Sequence, residues 1–160
     1  MPVAKPLLPR AETDLQHMEA RNIGYLFRDT HRSFRRIMKD RIEPYGITVA
    51  MWTQLWELWH QDGLTQSEIA RRIMLEKPSV NATIAKMEAL GIIERKTDPN
   101  DRRERRVYLT DKGRALRDPL ISMTAQINAE VLNDLNDAEV ATLMRLLSSV
   151  HAAARRIAET

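Results

Sequence analysis

Residues 65–113 decide the fold, and they read TQSEIARRIMLEKPSVNATIAKMEALGIIERKTDPNDRRERRVYLTDKG. The stretch opens with Thr65 three residues before Glu68. This is the spacing of a capping box, in which each side chain accepts a hydrogen bond from the other residue's backbone N–H. The cap predicts a short helix that begins at Gln66 and ends near Met74.

A second helix is predicted to begin near Glu76–Pro78, because proline is tolerated in a first turn, and to end at Gly91. Helical periodicity puts Val80, Ile84 and Met87 on one side, where we expect them to be buried. The opposite side is small, polar and basic, with Pro78, Ser79, Ala82, Ala85 and Lys86, and with Asn81 at its margin. Short side chains and hydrogen-bond donors of this kind suit an approach to base edges and phosphates in a major groove.

A hairpin is predicted next, because the period changes to that of strands at 92–97 and at 105–109. Asp98 and Pro99 suit the first two positions of a type I turn between the strands. At the tip, Arg102 or Arg103 is a candidate for insertion into a narrow minor groove, with Asp101 and Glu104 bracing the guanidinium groups. The candidates for phosphate contacts on the strands are Lys96, Arg105 and Arg106.

Helices are predicted on both sides of this centre. Apolar residues recur at helical spacing from Asp14 to about Tyr45, and a helix capped by Thr48 follows. After the hairpin, Thr110 caps a helix that we expect to bend or break at Pro119. A final helix capped by Asn136 carries an apolar stripe at Val140, Leu143, Leu147, Val150, Ala154 and Ile157.

The predicted fold is therefore mainly α with a small β-hairpin wing. We divide it into a flexible N-terminal arm (1–12), a dimerisation helix (13–46), a winged helix-turn-helix DNA-binding domain (47–110) and C-terminal dimerisation helices (111–160). The winged domain is too small to cover the apolar stripes of both long helices. Two copies of the chain would bury these stripes together, with a twofold axis that matches a palindromic site. The alternative is that the two helices pack on each other within one chain.

Composition narrows the class of protein. Residues 71–117 hold thirteen Lys and Arg against seven Asp and Glu, although the whole chain has a net charge of only +3, so a basic centre lies between acidic flanks. Cysteine is absent, which excludes disulfides and thiolate zinc sites. No apolar run is long enough for a membrane span or a signal peptide, and we expect a cytoplasmic location.

Enzyme motifs are absent from the sequence: it has no glycine-rich phosphate loop and no G-x-S-x-G elbow. Glu57 and His60 have the spacing of a carboxylate–histidine metal motif, but a di-iron bundle would need a second one. We therefore predict no catalytic residue, metal or cofactor. The main alternative is a winged helix that binds proteins, although its recognition face should be more apolar and its wing would not need adjacent arginines.

Three segments together resemble the MarR family of bacterial regulators: Thr65–Ala70, the Pro78–Gly91 helix, and Asp98-Pro-Asn-Asp-Arg-Arg103 followed by Val107-Tyr-Leu-Thr-Asp-Lys-Gly113. The order of elements agrees over about residues 15–157. The resemblance implies a triangular homodimer whose winged domains read successive major grooves of a palindrome. It also implies that Ser79, Asn81, Ala82 and Lys86 face bases or backbone. Arg103 would be the minor-groove arginine with Asp101 as its partner, and Arg102 is the alternative.

The resemblance further implies a small-molecule effector, often an aromatic acid, that lowers DNA affinity and so releases a repressor. The candidate effector contacts lie on the first two predicted helices and are Phe27, Arg28, His31, Met51, Trp52 and Trp56. An apolar pocket with a few polar groups is what such a ligand needs. Tryptophan and methionine at helical spacing more often belong to an ordinary core, which is the alternative for these residues.

Overall fold

The computed structural model describes residues 22–98 and 104–158, and the chain divides into two compact units, Met1–Thr53 and Gln54–Thr160. The predicted N-terminal arm and the first residues predicted as helix, through residue 21, lie outside the described part. So does the tip of the hairpin, residues 99–103.

The first unit contains helix α1 (Ile23–Ile42) and the start of helix α2 (Val49–His60). The side chain of Asn22 caps α1, accepting a hydrogen bond from the N–H of Gly24 at 2.9 Å. The helix gives way to a 3-10 turn at Glu43–Tyr45, where Pro44 has no N–H with which to continue the helical hydrogen bonds. Thr48 caps α2 as predicted: its Oγ1 accepts from the N–H of Met51 at 3.3 Å.

The second unit contains the remainder of α2 and a three-stranded sheet surrounded by helices. Its elements are β1 (Leu64–Thr65), α3 (Gln66–Ile73), α4 (Lys77–Ala89), β2 (Ile93–Thr97), β3 (Arg105–Leu109), α5 (Asp111–Ala115), α6 (Arg117–Val131) and α7 (Asp137–Ala158). The sheet is antiparallel in the order β1-β3-β2. The predicted helices and both hairpin strands are confirmed. The prediction missed β1, because a strand of two residues shows no alternation of polar and apolar side chains.

The core of the second unit lies between the sheet and helices α3 and α4. Its fully buried side chains include Leu58, Leu64, Ile69, Val80, Ile84, Met87, Ile93 and Val107. Val80, Ile84 and Met87 are thus buried as their spacing predicts, and they anchor α4 from behind. Burial of a large aliphatic side chain contributes about 1.5–3 kcal/mol, so these three residues fix which face of α4 remains outside.

The link from the hairpin back to α4 depends on Thr110 and Gly113. The hydroxyl of Thr110 donates to the carbonyl of Gly91 at 2.7 Å and accepts from the N–H of Gly113 at 3.2 Å. A Cβ on Gly113 would lie 2.2 Å from the carbonyl oxygen of Ile92, a distance that no side chain tolerates. Only glycine therefore allows α5 to approach the end of the recognition helix so closely.

The predicted break in the helix after the hairpin occurs at Leu116, three residues before Pro119. Proline has no N–H to donate to the carbonyl of Ala115, and its ring would clash with that carbonyl if one helix continued through both positions. The chain ends α5 at Ala115 instead, and Pro119 occupies the first turn of α6, where its missing N–H costs little.

Helix α7 has the predicted capping box but no buried residue. The N–H of Asn136 donates to Glu139 Oε2 at 2.9 Å, and Asn136 Oδ1 accepts from the N–H of Glu139 at 3.0 Å. In the predicted stripe, Leu147 and Ile157 are exposed, with 78% of Ile157 accessible, and Leu143 is only half-buried. Over the described residues, no helix has the length and apolar character needed to cross a membrane.

Candidate nucleic-acid interface

Helices α3 and α4 form a helix-turn-helix whose start is fixed by the predicted capping box. The N–H of Thr65 donates to Glu68 Oε2 at 2.8 Å, and Thr65 Oγ1 accepts from the N–H of Glu68 at 3.2 Å. The hydrogen bond from the Thr65 backbone lowers the pKa of Glu68. Glu68 therefore stays ionised at neutral pH and complements the positive end of the α3 dipole.

The turn between the two helices has a left-handed residue at Met74, with φ of 54°. This conformation ends α3 and lets the N–H of Leu75 donate to the carbonyl of Ala70 at 3.0 Å. Both apolar side chains of the turn are exposed. The chain then enters α4 two residues later, with Pro78 in the first turn.

The outer face of α4 is the candidate surface for bases. The predicted side chains of this face are all exposed, and they are Pro78, Ser79, Asn81, Ala82, Ala85 and Lys86. Thr83, at the edge of the face, is half-buried and donates its hydroxyl to the carbonyl of Ser79 at 3.1 Å. The face thus carries short side chains, one amide and one ammonium group, with no large side chain to hold it away from a groove.

A polar cleft of about 190 Å³ lies at one end of this face. Residues from α3, α4 and the hairpin line it, namely Thr65, Gln66, Ser67, Lys77, Asn81, Glu104 and Arg105. The structure therefore brings together two predicted contacts, Asn81 and Arg105, with three residues that were not predicted from the sequence, Gln66, Ser67 and Lys77. The capping box could have indicated Gln66 and Ser67 from the sequence, because it marks a helix N-terminus, and helix N-termini favour anions.

The hairpin is closed at its base by a hydrogen bond from the N–H of Asp98 to the carbonyl of Glu104, 3.0 Å long. Beyond this point lie Asp101, Arg102 and Arg103, which are outside the described residues. Their assignment to a minor groove stays a prediction.

The two exposed cations of the strands differ in their surroundings. Lys96 Nζ lies 2.7 Å from Glu94 Oε1 and 5.3 Å from the centre of the Tyr108 ring, and the hydrogen bond with Glu94 raises the pKa of Lys96. Arg105 is exposed on β3 and lines the polar cleft beside Lys77. The position of Arg105 is the more suitable for a phosphate, because its charge lies in the same cleft as the ammonium group of Lys77.

Arg106, the third predicted phosphate contact, binds groups of the protein. Its Nε donates to Asp98 Oδ2, its Nη1 donates to the carbonyl of Gly63 at 2.9 Å, and Glu68 Oε2 lies 4.0 Å away. The side chain of Asp98 is only 6% exposed. The pairing with Asp98 raises the pKa of Arg106 further, so the guanidinium group keeps its charge at any physiological pH.

The candidate effector residues are distributed over two helices. On α1, Phe27, Arg28 and His31 are exposed, and Arg28 Nε donates to Asp29 Oδ1 at 3.0 Å. On α2, Met51 is buried as a core residue, whereas Trp52 and Trp56 are half-buried. Among the described residues, no three His, Asp or Glu side chains are grouped so as to hold a metal ion.

Comparison with known proteins agrees with this geometry. The model of the MarR family matches residues 47–104, which run from the start of α2 to the base of the wing. Solved structures match over most of their length. A MarR transcriptional regulator from Methanosarcina mazei Go1 is 24% identical, with a TM-score of 0.80 over 84% of this chain and 97% of that chain.

Two further solved structures are of proteins with a described ligand or DNA partner. BpsR from Bordetella bronchiseptica, whose DNA binding is regulated by 6-hydroxynicotinic acid, is 26% identical, with a TM-score of 0.73 over 81% of this chain and 98% of that chain. MepR from S. aureus, in a complex with DNA, is 24% identical, with a TM-score of 0.71 over 82% of this chain and 96% of that chain. The family model, the winged fold and the exposed face of α4 agree: residues 47–104 match the MarR family, and the chain has the fold of winged helix-turn-helix transcriptional regulators of that family.

Proposed function

We propose that the chain is a homodimeric repressor that binds a palindromic operator and is released by a small aromatic or anionic effector. The observation that carries the DNA-binding part is the outer face of α4, which is exposed, short and cationic, while Val80, Ile84 and Met87 are fully buried behind it. A helix with this division of faces can lie in a major groove without displacing large side chains.

We propose the contacts on α4 and on the strands from the positions of the described side chains, and the contact at the wing tip from the sequence. Ser79, Asn81 and Ala82 face base edges, with Pro78 beside them, and Lys86 contacts bases or backbone further along α4. Lys77, Lys96 and Arg105 bind phosphates, and Arg103 enters the minor groove at the wing tip, with Asp101 as its partner. Backbone contacts of this kind fix orientation, and the contacts from α4 supply the sequence preference.

A second copy of the chain is proposed as the partner of α7. This helix of 22 residues has an apolar stripe and no buried residue in one chain, and such a stripe remains in water unless another helix covers it. A twofold dimer presents two copies of α4, which is why we propose a palindromic operator.

The proposal of an effector is supported by α2, where the half-buried Trp52 and Trp56 offer apolar and aromatic surface. BpsR, a protein of the same fold, is regulated by an aromatic acid. Phe27, Arg28, His31 and Met51 stay in the proposed contact set. Because duplex DNA is the proposed target, we also propose a cytoplasmic location.

A mobility-shift assay with genomic fragments tests the central proposal. Wild-type protein should shift specific fragments, and affinity should fall steeply with added salt, because each phosphate contact releases condensed counterions. Lys86→Ala should weaken binding by about tenfold, whereas Arg145→Ala should leave it unchanged, because Arg145 lies on the side of α7 opposite the stripe. Arg103→Ala should cost more at A/T-rich flanks than elsewhere. A protein that shifts no fragment and shows no salt-dependent binding would instead support the protein-interaction module.

A further inference from the structure

One guanidinium group connects the base of the wing with the start of the helix-turn-helix. Arg106 lies on β3, and its Nε and Nη1 donate in two different directions, to Asp98 at the end of β2 and to the carbonyl of Gly63 just before β1. Glu68 of the capping box lies at 4.0 Å from the same Nη1. The side chain thus links β3 with the end of β2 and with residues 63–68 at the start of the helix-turn-helix.

We propose that Arg106 is a positioning residue that sets the direction of the wing by binding Asp98, and that it does not itself contact phosphate. This inference rests on the proposed DNA binding. It revises the role that the basic composition of the hairpin indicates for Arg106, and it adds Asp98 to the residues that determine affinity.

The burial of Asp98 supports this role. Its side chain is 6% exposed, and a carboxylate removed from water is costly unless a cation and hydrogen bonds compensate it. Arg106 supplies both through Nε. If Arg106 turned outward to a phosphate, the buried Asp98 carboxylate would lose the charge-assisted hydrogen bond that Nε donates. The burial of Asp98 therefore favours the inward position of the guanidinium group.

The shape of the guanidinium group supports the same role. Its donors lie in a rigid planar fork, so Nε and Nη1 can hold a carboxylate and a carbonyl at a fixed mutual angle. Those two acceptors belong to the wing and to the segment that leads into β1. A lysine at this position keeps the charge, but it has one nitrogen on a flexible stem and lacks the fork.

The two roles predict opposite signs for Asp98→Asn. If Arg106 is a phosphate contact, removal of a nearby negative charge frees the cation and strengthens DNA binding or leaves it unchanged. If Arg106 positions the wing, loss of the carboxylate weakens binding in spite of the more favourable net charge. Glu94→Gln is the matched control, because Glu94 is an exposed acid on the same hairpin, paired with Lys96.

The experiment measures operator affinity of the full-length variants together with hydrogen exchange of the free proteins. We expect Asp98→Asn to weaken binding by about fivefold or more, with faster exchange in peptides that cover β2 and β3 and unchanged exchange in α7. Glu94→Gln should bind at least as tightly as wild type. The double variant Asp98→Asn/Arg106→Gln should lose less affinity than the sum of the two single losses, because both changes break the Asp98–Arg106 interaction.

Equal or tighter binding by Asp98→Asn overturns the proposal, and so do fully additive losses in the double variant. If Asp98→Asn does not fold, Arg106→Lys tests the proposal instead. A loss of operator affinity of about fivefold supports positioning by the guanidinium fork, and retained affinity overturns the proposal. A wild-type protein that binds no DNA would instead refute the proposed function, and this outcome is distinct because it precedes any comparison of variants.

Discussion

Arg95 on β2 and Glu88 on α4 form an ion pair that ties the wing to the recognition helix, with Arg95 Nε 2.9 Å from Glu88 Oε2. The hydrogen bond from Arg95 lowers the pKa of Glu88. This contact joins the two elements that are proposed to read the major and minor grooves. Sequence spacing gave no sign of it, because the two residues belong to elements of different period.

Arg95→Met should therefore destabilise the fold by about 1 kcal/mol, a value below that of a buried charge-assisted hydrogen bond because both side chains are partly exposed. Urea unfolding followed by circular dichroism measures the change. Lys96→Met is the control, since the Lys96–Glu94 pair is more exposed and should contribute less to stability. Equal losses of unfolding free energy in Arg95→Met and Lys96→Met would contradict a larger contribution from the Arg95–Glu88 pair.

The capping box of α3 should make stability depend on pH in the acid range. The folded pKa of Glu68 is lowered, so its contribution is complete above the pKa of an unfolded glutamate, about 4.3, and is lost as pH falls through the lower folded value. Glu68→Gln retains a side-chain acceptor for the N–H of Thr65 but does not titrate. The difference in unfolding free energy between wild type and Glu68→Gln should therefore shrink between about pH 5 and pH 3. A difference that is constant across this range would exclude the proposed linkage.

The left-handed residue in the turn predicts a stabilising substitution. Met74 has φ of 54° and 69% of its surface exposed, so it is strained by its Cβ and gains little from burial. Met74→Gly removes a penalty of about 1–2 kcal/mol and adds about 0.5–1 kcal/mol of backbone entropy in the unfolded chain, which leaves a gain of up to about 1.5 kcal/mol. Met74→Ala retains the Cβ and should match wild type in thermal unfolding. A glycine variant less stable than the alanine variant would show that the Cβ of Met74 causes no net strain.

The apolar stripe of α7 predicts the oligomeric state. Leu147→Glu places a charge within the stripe and should dissociate the dimer at micromolar concentration, as measured by sedimentation equilibrium, because an unpaired charge in an apolar interface is costly. Ser148→Glu adds the same charge outside the stripe and should remain dimeric. A monomeric wild-type protein would remove the stripe as evidence for a homodimer and leave the exposed Leu147 and Ile157 without a partner.

The sequence was sufficient where local chemistry determines structure. Thr65 and Glu68 specify a helix start, and the spacing of Val80, Ile84 and Met87 specifies the buried side of α4; both are confirmed. It was insufficient where contacts cross between distant segments. The pairing of Leu64 with Val107 that creates β1, and the cleft that Lys77 and Arg105 both line, depend on the hairpin folding back onto segments that precede it by many residues. Arg106 shows the same limit, since its partners lie 8 and 43 residues away.

The close approach of Gly113 to the Ile92 carbonyl bears on what the family resemblance reports. The Leu109–Gly113 stretch carries much of that resemblance, and Thr110 and Gly113 within it hold the returning hairpin against the end of α4. The motif is therefore a signature of wing closure. The proposed base contacts lie elsewhere, on the outer face of α4, and take no part in it.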